Sequence, residues 1–333
     1  MGCKLAIAGV TGAVGQEFLA ILEERDFPFD SLKVLASSRS AGKKIEFKKK
    51  EYIVEQLTDK SFEGVDIALF SAGASRSREF APAAVKSGAV VVDNSSCFRM
   101  TPSVPLVIPE INPQKIKEHK GIIANPNCST IIGIVPVWPL HKANPVKRMV
   151  VSTYQAASGA GQAAMLELEQ QSREILAGKK PTIKVLPYQL AFNLFSHNSS
   201  LDATGYNLEE VKMVNETRKI FDCPDIAVTA TCIRVAVFRA HSESINLEFT
   251  DAITPDEVRD LLKGAPGVTV LDDREHNRFP MPIDATDKDD VFVGRIRQDF
   301  SIPENRGINI WVAGDQLRKG AALNAVQIAE KLL

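Results

Sequence analysis

The sequence lacks the features that a metal centre, a disulfide framework or a membrane anchor would need. Its five cysteines are an odd set without a C-x-x-C pair, which argues against both disulfide pairing and a zinc site. No apolar run approaches the ~20 residues that span a bilayer, and the first residues do not have the layout of a signal peptide. We therefore expect no metal, no membrane partner and a reducing compartment. The cytoplasm is the first choice, with the plastid stroma as an alternative if the source is a plant or an alga.

The chain also lacks an excess of charge of either sign. It has 40 basic and 41 acidic residues, and a formal net charge of -1. No field from the whole chain would recruit nucleic acid, so no nucleic-acid partner is expected. The densest basic run, Lys43 to Lys50, is interrupted by Ile45, Glu46 and Phe47, and we interpret it as a solvated hairpin.

Internal repeats, low-complexity segments and a clear Gly/Ser linker are missing as well. With 333 residues, 44% of them hydrophobic and 24% charged, the chain is typical of a folded protein with two domains.

Short apolar runs alternate with helical patterns in the first third of the chain. The predicted strands are Lys4–Val10, Leu32–Ala36, Val65–Phe70, Ala89–Asp93 and Gly121–Ala124. They are apolar at nearly every position, as in strands covered by helices on both faces. This order predicts an α/β fold with a Rossmann-type, dinucleotide-binding domain built on a parallel sheet.

From about Val146 the strands become longer and more alternating, which predicts an α+β catalytic domain with an antiparallel or mixed sheet. The predicted strands are Val146–Tyr154, Ile226–Arg239, Ser244–Phe249, Val291–Gln298 and Ile308–Ala313. Helices are expected at Gly161–Leu176, after Thr254, and at Arg318–Leu333. Thr254, Pro255 and Glu257 have the spacing of a capping box.

A glycine-rich segment, Gly9 to Gly15, lies between the first strand and a helical pattern. Glycines permit a tight turn and let a pyrophosphate approach bare backbone at a helix N-terminus. The spacing is G-x-x-G-x-x-G, which is a weak signal alone and a stronger one directly after the first strand. The second strand is followed by Ser37-Ser38-Arg39-Ser40 rather than by an acidic residue, and hydroxyls with a guanidinium favour the 2'-phosphate of NADP.

Cys128 stands where a strand pattern ends and a helical pattern begins, in Asn125-Pro126-Asn127-Cys128-Ser129-Thr130. The positive end of a helix dipole lowers the pKa of a thiol, and the thiolate is the reactive form. Cys128 is therefore the candidate nucleophile, whereas the other four cysteines fit structural positions.

His241 is the best candidate for a proton-transferring group among five histidines, because it ends a strand pattern that contains Arg234. The two residues are seven positions apart, so strict alternation would place them on opposite faces of the strand. A turn or bulge must therefore lie between them, and a purely structural histidine stays open on spacing alone.

Four motifs together resemble the aspartate-semialdehyde dehydrogenase family over essentially the whole chain. They are Gly9 to Gly15, Asn125 to Thr130, Tyr154-Gln155-Ala156-Ala157-Ser158-Gly159 and Gly314-Asp315-Gln316. The resemblance implies an NADP-binding domain of residues 1–127, joined by a C-terminal helix 314–333, and a catalytic and dimerisation domain of residues 128–313. It also implies a homodimer.

The resemblance further implies roles for individual residues. Cys128 would be the thioester nucleophile, His241 the acid/base and Gln155 a group that orients the substrate. Arg234 would bind the substrate carboxylate, Glu209 its amino group, and Arg99 and Lys212 its phosphate. The residues implied for NADP are Thr11, Gly12, Ala13, Val14, Arg39, Ser40, Ser158, Gly159 and Gln316.

The implied reaction is NADPH-dependent reductive dephosphorylation of L-aspartyl 4-phosphate to L-aspartate 4-semialdehyde, with release of phosphate, in lysine, threonine and methionine biosynthesis. Two alternatives stay open at this point. One is a reductase for another acyl phosphate, such as N-acetylglutamyl phosphate or the acyl phosphate of glyceraldehyde-3-phosphate chemistry. The other is a non-enzymatic NADP-binding regulator or scaffold.

Overall fold

A computed structural model describes residues 2–333, and their contacts divide them into two compact units. The first unit contains residues up to Asn127 together with Ala321–Leu333, and the second contains Cys128–Gly320. This division differs from the sequence-based one at residues 314–320, which lie with the second unit. The difference arises because Gln316 bonds to the backbone of Ala240 and Asp315 bonds to Arg239, both in that unit.

Fifteen strands and eight α-helices are described. The strands are β1 Cys3–Ala8, β2 Phe29–Ala36, β3 Lys44–Phe47, β4 Lys50–Ile53, β5 Glu55–Gln56, β6 Ile67–Phe70, β7 Val90–Asp93, β8 Ile122–Ala124, β9 Val146–Gln155, β10 Leu194–Ser196, β11 Ala227–Val235, β12 His241–Phe249, β13 Val268–Val270, β14 Val291–Gln298 and β15 Gly307–Gly314. The helices are α1 Ala13–Glu24, α2 Ala74–Lys86, α3 Cys128–Ala143, α4 Gln162–Leu176, α5 Leu208–Phe221, α6 Pro255–Leu262, α7 Pro282–Ala285 and α8 Leu323–Glu330.

The first unit is built on a six-stranded sheet in the order β5-β2-β1-β6-β7-β8, and every pairing in it is parallel. Leu5 and Ile7 of β1 pack with residues of α1 and α8, whereas Ala6 and Ala8 pack with residues of α2. Helices therefore cover both faces, which explains why the strands are apolar at nearly every position. The predicted Rossmann-type fold is confirmed, and the predicted basic hairpin is the β3-β4 pair.

The second unit contains a seven-stranded sheet in the order β10-β11-β9-β12-β15-β14-β13. The β11-β9 and β13-β14 pairs are parallel and the others are antiparallel, so the predicted mixed sheet is confirmed. Helix α3 packs on β9, β12, β14 and β15. At the start of α6, Thr254 and Glu257 form the predicted capping box.

Strands β2 and β12 begin three residues before their predicted starts, at Phe29 and His241, and two other predicted boundaries were wrong by more. The strand predicted for Ile226–Arg239 ends at Val235, because the chain turns before His241 and Ala240 adopts a left-handed φ of 69°. The helix predicted from Arg318 begins as a π-helical turn, Arg318–Ala322, and α8 covers only Leu323–Glu330. None of the helices within residues 2–333 is both long and apolar enough to cross a membrane.

Candidate active site

The glycine-rich turn of the first unit joins β1 to α1. Gly9 has a φ of 92°, and a Cβ there would lie 2.3 Å from the carbonyl oxygen of Ser71. A Cβ on Gly15 would lie 2.2 Å from the carbonyl oxygen of Gly9. Gly12, which precedes α1, would make only an ordinary contact. The close approach of backbone predicted for this motif is therefore required at its first and last glycines.

A cavity of about 380 Å³ opens beside this turn in the first unit. Of the residues predicted to bind NADP, Thr11, Gly12 and Arg39 line it, and Ala13, Val14 and Ser40 do not. The lining also includes Arg76, which the sequence reasoning missed. Arg76 lies in the first turn of α2, directly after β6. A sequence signal for it existed, because a helix that follows the next parallel strand begins beside the first βα turn, where the cofactor binds.

Cys128 in the second unit is the first residue of α3, so the predicted helix start is confirmed. Its Sγ lies 3.7 Å from Nε2 of His241. Burial raises the pKa of the Cys97 and Cys232 thiols, which favours their unreactive protonated form. Cys3 is buried as well, and burial raises the pKa of its thiol too.

His241 begins β12, and the prediction that it ends the strand of Arg234 was wrong. The imidazole is fully buried, and its Nδ1 accepts a hydrogen bond of 3.1 Å from the backbone N–H of Ala156. Because a backbone amide can only donate, the proton of the neutral ring lies on Nε2, facing the sulfur of Cys128. Burial, reinforced by the charge of Arg234, holds the pKa of His241 well below its ordinary value.

Arg234 lies in β11, and the turn after Val235 brings it to the same site as His241, as the spacing required. Its Nη1 donates to the carbonyl oxygen of Ala156 at 2.6 Å, and its Nη2 lies 3.0 Å from Nε2 of His197. Its Nε has no hydrogen-bond partner among residues 2–333, although the side chain is 2% exposed. A buried guanidinium N–H without an acceptor is costly, so an acceptor at this edge would stabilise the site.

Gln155, Glu209 and Lys212 form a connected set beside this arginine. Gln155 ends β9, and its Nε2 donates to Oε1 of Glu209 at 3.2 Å. Nζ of Lys212 lies 2.9 Å from Oε2 of Glu209, an i,i+3 ion pair on one face of α5. Glu209 is 4% exposed, so its charge is compensated within the unit rather than by solvent.

The turn before α4 holds Ser158 and Gly159. Ser158 and Gln316 are hydrogen-bonded through their side chains, and Oε1 of Gln316 accepts from the N–H of Ala240 at 2.9 Å. These two residues therefore support the turn that carries His241. A Cβ on Gly159 would lie 3.0 Å from Nη1 of Arg234 and 3.1 Å from Cε1 of His241, so a glycine keeps this approach open.

Arg99 lies in the first unit and is 7% exposed. Its Nε donates to the carbonyl oxygen of Asn125 at 2.9 Å, and its Nη2 donates to that of Asn94 at 3.0 Å. The guanidinium therefore orders two loops that follow β7 and β8, and its phosphate-binding role stays a prediction.

Comparison with known proteins follows the same division of the chain. Residues 4–119 match the family model "Semialdehyde dehydrogenase, NAD binding domain", and residues 137–319 match "Semialdehyde dehydrogenase, dimerisation domain". The chain is 56% identical over 330 residues to aspartate-semialdehyde dehydrogenase of Synechocystis sp., covering 99% of this chain and 97% of that protein.

Solved structures agree. Aspartate semialdehyde dehydrogenase II from Vibrio cholerae, complexed with ASA, superposes with a TM-score of 0.96 at 44% identity, covering 100% of this chain and 98% of that one. The enzyme from Candida albicans with NADP gives a TM-score of 0.76 at 25% identity, covering 100% of this chain and 98% of that one. The chain therefore belongs to the aspartate-semialdehyde dehydrogenase family.

Proposed function

We propose that this chain catalyses the NADPH-dependent reductive dephosphorylation of L-aspartyl 4-phosphate to L-aspartate 4-semialdehyde, a step of lysine, threonine and methionine biosynthesis. The observation that carries the proposal is the pair formed by Cys128 Sγ and His241 Nε2, 3.7 Å apart at the start of α3. The membership of the chain in the family supports the choice of substrate.

The five free thiols agree with a reducing compartment, for which we propose the cytoplasm.

Cys128 is the nucleophile of the proposed reaction. Its thiolate attacks the acyl carbon, a C–S bond forms, and the bond from that carbon to the phosphate oxygen breaks with release of phosphate. The N-terminus of α3 stabilises the thiolate through the helix dipole. Breaking the C–S bond after reduction releases the aldehyde and restores the thiolate.

His241 holds the proton nearest to this sulfur. Its Nε2–H is directed at Cys128, because Nδ1 is occupied by the amide of Ala156. We assign to this N–H the stabilisation of the negative oxygen on the carbon bound to Sγ, and positioned groups of this kind are typically worth about 10²- to 10⁴-fold in rate.

The cavity of the first unit fits NADP. Its lining contains two arginines, Arg39 and Arg76, and no carboxylate, which suits a 2'-phosphate. The bare backbone at Gly9 and the start of α1 suit the pyrophosphate. NADPH supplies the hydride when it is bound. Ser40, Ala13, Val14, Ser158, Gly159 and Gln316 remain proposed contacts.

The second unit offers complementary charges to an amino acid. The unpaired Nε edge of Arg234 suits the substrate carboxylate, and Glu209 suits its ammonium group. Gln155, which bonds to Glu209, would orient the substrate, and Lys212 would bind phosphate. For Arg99 of the first unit, a phosphate-binding role rests on the family resemblance alone. Each of these roles is a proposal for this chain.

A test of the covalent step compares two cysteine variants. Cys128→Ala is expected to abolish turnover and to leave NADPH binding intact, whereas Cys97→Ala is expected to keep full activity. The assay is phosphate-dependent reduction of NADP with aspartate semialdehyde, N-acetylglutamate semialdehyde or glyceraldehyde 3-phosphate as the aldehyde. Activity of the Cys128 variant would refute the thioester, and preference for another aldehyde would refute the substrate.

A test of the cofactor assignment uses the first unit. Arg39→Ala is expected to raise the KM for NADPH selectively, because it removes a cation from the cavity. Arg78→Ala changes an exposed arginine of α2 outside the cavity lining and serves as the control. An unchanged preference for NADPH over NADH in the Arg39 variant would contradict the assignment.

We also propose a homodimer formed through the second unit. Eight large apolar side chains between residues 183 and 208 are 36% to 69% exposed, which is more than scattered surface residues explain. They are Ile183, Val185, Tyr188, Phe192, Leu194, Leu201, Tyr206 and Leu208. Sedimentation should give a dimer for the native chain and for Phe300→Asp, and a monomer for Phe192→Asp. A native monomer would refute the proposal.

A further inference from the structure

His197 lies directly after β10, and its side chain contacts the arginine proposed to bind the substrate. Its backbone N–H donates to the carbonyl oxygen of Cys232 at 2.8 Å, which fixes it beside β11. Its Nε2 lies 3.0 Å from Nη2 of Arg234. No motif or spacing in the sequence assigns a role to this histidine.

The hydrogen-bond partners determine which ring nitrogen carries the proton. A guanidinium can only donate, so Nε2 of His197 must be the acceptor and the proton of the neutral ring lies on Nδ1. Nδ1 lies 3.1 Å from Oγ of Ser199 and donates to it. The N–H of Ser199 also points at Nδ1, at 3.3 Å, and the shorter 3.0 Å approach of the charged Arg234 donor to Nε2 decides between the two tautomers.

Ser199 connects this histidine to the start of α5. Its Oγ accepts from the backbone N–H of Glu209 at 3.1 Å and donates to Oδ1 of Asn207 at 3.4 Å. Asn207 caps α5, and its side chain accepts from the N–H of Glu210. One hydrogen-bonded chain therefore runs from Arg234 through His197 and Ser199 to the helix end that carries Glu209.

We propose that His197 is a positioning residue, which fixes the plane of the Arg234 guanidinium and its distance from Glu209 so that one amino-acid substrate meets both charges. The proposal rests on the substrate roles of Arg234 and Glu209 given above. A guanidinium binds a carboxylate best when two of its N–H groups point at the two carboxylate oxygens. Its orientation therefore matters as much as its charge. Ala156 anchors Nη1 and His197 anchors Nη2, and together they leave the Nε edge for the substrate.

The environment keeps His197 in the form that this role needs. Burial, opposed by Glu209 and reinforced by the charges of Arg234 and Lys212, lowers the pKa of His197 to about 4. The ring therefore stays a neutral acceptor toward Arg234 near neutral pH. Lys or Arg at this position would oppose the charge of Arg234.

The test separates positioning from a general structural effect by using two aldehydes. Aspartate semialdehyde carries the carboxylate that Arg234 would bind, and 3-aminopropanal lacks it. His197→Leu removes the acceptor and is expected to raise the KM for aspartate semialdehyde by roughly tenfold to a hundredfold, since a hydrogen bond to a charged group is lost. The kcat, the KM for NADP and the kcat/KM for 3-aminopropanal should stay within about twofold.

Three further variants complete the design. His197→Gln keeps an acceptor and should restore most of the discrimination between the two aldehydes. Ser199→Ala cuts the link to α5 without touching Arg234, and a smaller rise in KM is expected. His276→Leu changes an exposed histidine and serves as the control.

The outcomes distinguish this inference from the proposed function. If His197→Leu slows both aldehydes equally, or if neither His197→Gln nor Ser199→Ala behaves as described, the positioning role is refuted. Should His197→Leu fail to fold, the Gln and Ser199 variants decide the question. If the native chain does not oxidise aspartate semialdehyde with phosphate and NADP, the proposed function itself fails.

Discussion

Single residues of the site are held by contacts that reach far along the chain. His241 receives a hydrogen bond from Ala156, and Arg234 receives support from both Ala156 and His197. The carbonyl and the amide of one residue, Ala156, therefore fix the two groups that face Cys128 and the proposed substrate. A Cβ at Gly159, in the short turn after β9, would press on both of these groups.

Gly159→Ala should impair catalysis without unfolding the protein. The new Cβ would lie 3.0 Å from Nη1 of Arg234 and 3.1 Å from Cε1 of His241, so both groups must move by a few tenths of an ångström. We expect kcat/KM for aspartate semialdehyde to fall about tenfold or more, because small displacements of reacting groups lower the rate strongly. Ala160→Ser, on the exposed neighbour in the same turn, is the control. Equal kinetics for both variants would contradict this interpretation.

Glu243 is a buried carboxyl group whose two side-chain oxygens have no hydrogen-bond partner in residues 2–333. Burial raises its pKa well above the ordinary value. Above about pH 4.5 the unfolded chain loses this proton and the folded chain keeps it, so Glu243 makes the fold less stable as pH rises. While it stays protonated, the loss amounts to about 1.4 kcal/mol per pH unit.

Glu243→Gln should remove this dependence. We expect the variant to gain stability over the native chain as pH increases above 4.5, and the two proteins to converge near pH 4. Urea unfolding at a series of pH values measures the difference in unfolding free energy between the two proteins. Glu248→Gln, on the same strand with a partly exposed side chain, is the matched control. A pH-independent difference for Glu243→Gln would mean that this carboxyl group ionises in the fold.

Among the elements, the turn between β11 and β12 decides where His241 lies. Ala240 has a φ of 69° and is fully buried, a strained conformation for a residue other than glycine. Arg239 Nε donates to Oδ2 of buried Asp315 at 2.7 Å, and the N–H of Ala240 donates to Gln316. The Gly314-Asp315-Gln316 segment therefore holds this turn in place.

Asp315→Asn tests that role. The variant loses one of the two carboxylates that pair with Arg239, the other being that of Asp287, and removing one partner of a buried ion pair costs about 3–5 kcal/mol. Since the side chain of Arg239 is 21% exposed, we expect a value below that range. A lower Tm and a reduced kcat should appear together. An unchanged kcat at lower stability would show that the turn keeps His241 in position without Asp315.

At the scale of the whole molecule, the chain returns to its first unit at the end. Leu323, Val326 and Ile328 of α8 are buried in the same cluster as Leu5 and Ile7 of β1. Burying each such side chain is worth about 1.5–3 kcal/mol, which is a large share of the 5–15 kcal/mol that stabilises a typical domain. The first unit is therefore assembled from segments at both ends of the sequence.

Ending the chain at Gly320 should therefore unfold the first unit. We expect loss of NADP binding and increased proteolysis of residues 2–127, because the apolar face that α8 covers becomes exposed. Removing only Leu333, which is 59% exposed, is the control and should change neither property. NADP binding by the shortened chain at native affinity would refute this role of α8.

The sequence by itself determined the features that depend on local spacing. The parallel strands, the glycine turn, the capping box of α6 and the helix start at Cys128 follow from periodicity and from residues within one turn of one another. The family resemblance added candidate residues, and the structure brings several of them together in the second unit.

Tertiary structure alone decided which side chains meet. His197 contacts Arg234 across 37 residues, Ala156 contacts His241 across 85, and Gln316 contacts Ser158 across 158. Tertiary contacts also place Arg76 in the lining of the first unit's cavity and bury Glu243 away from water. Such contacts depend on how strands are ordered in a sheet and where they turn, and these are set by the packing of distant apolar surfaces rather than by any local pattern.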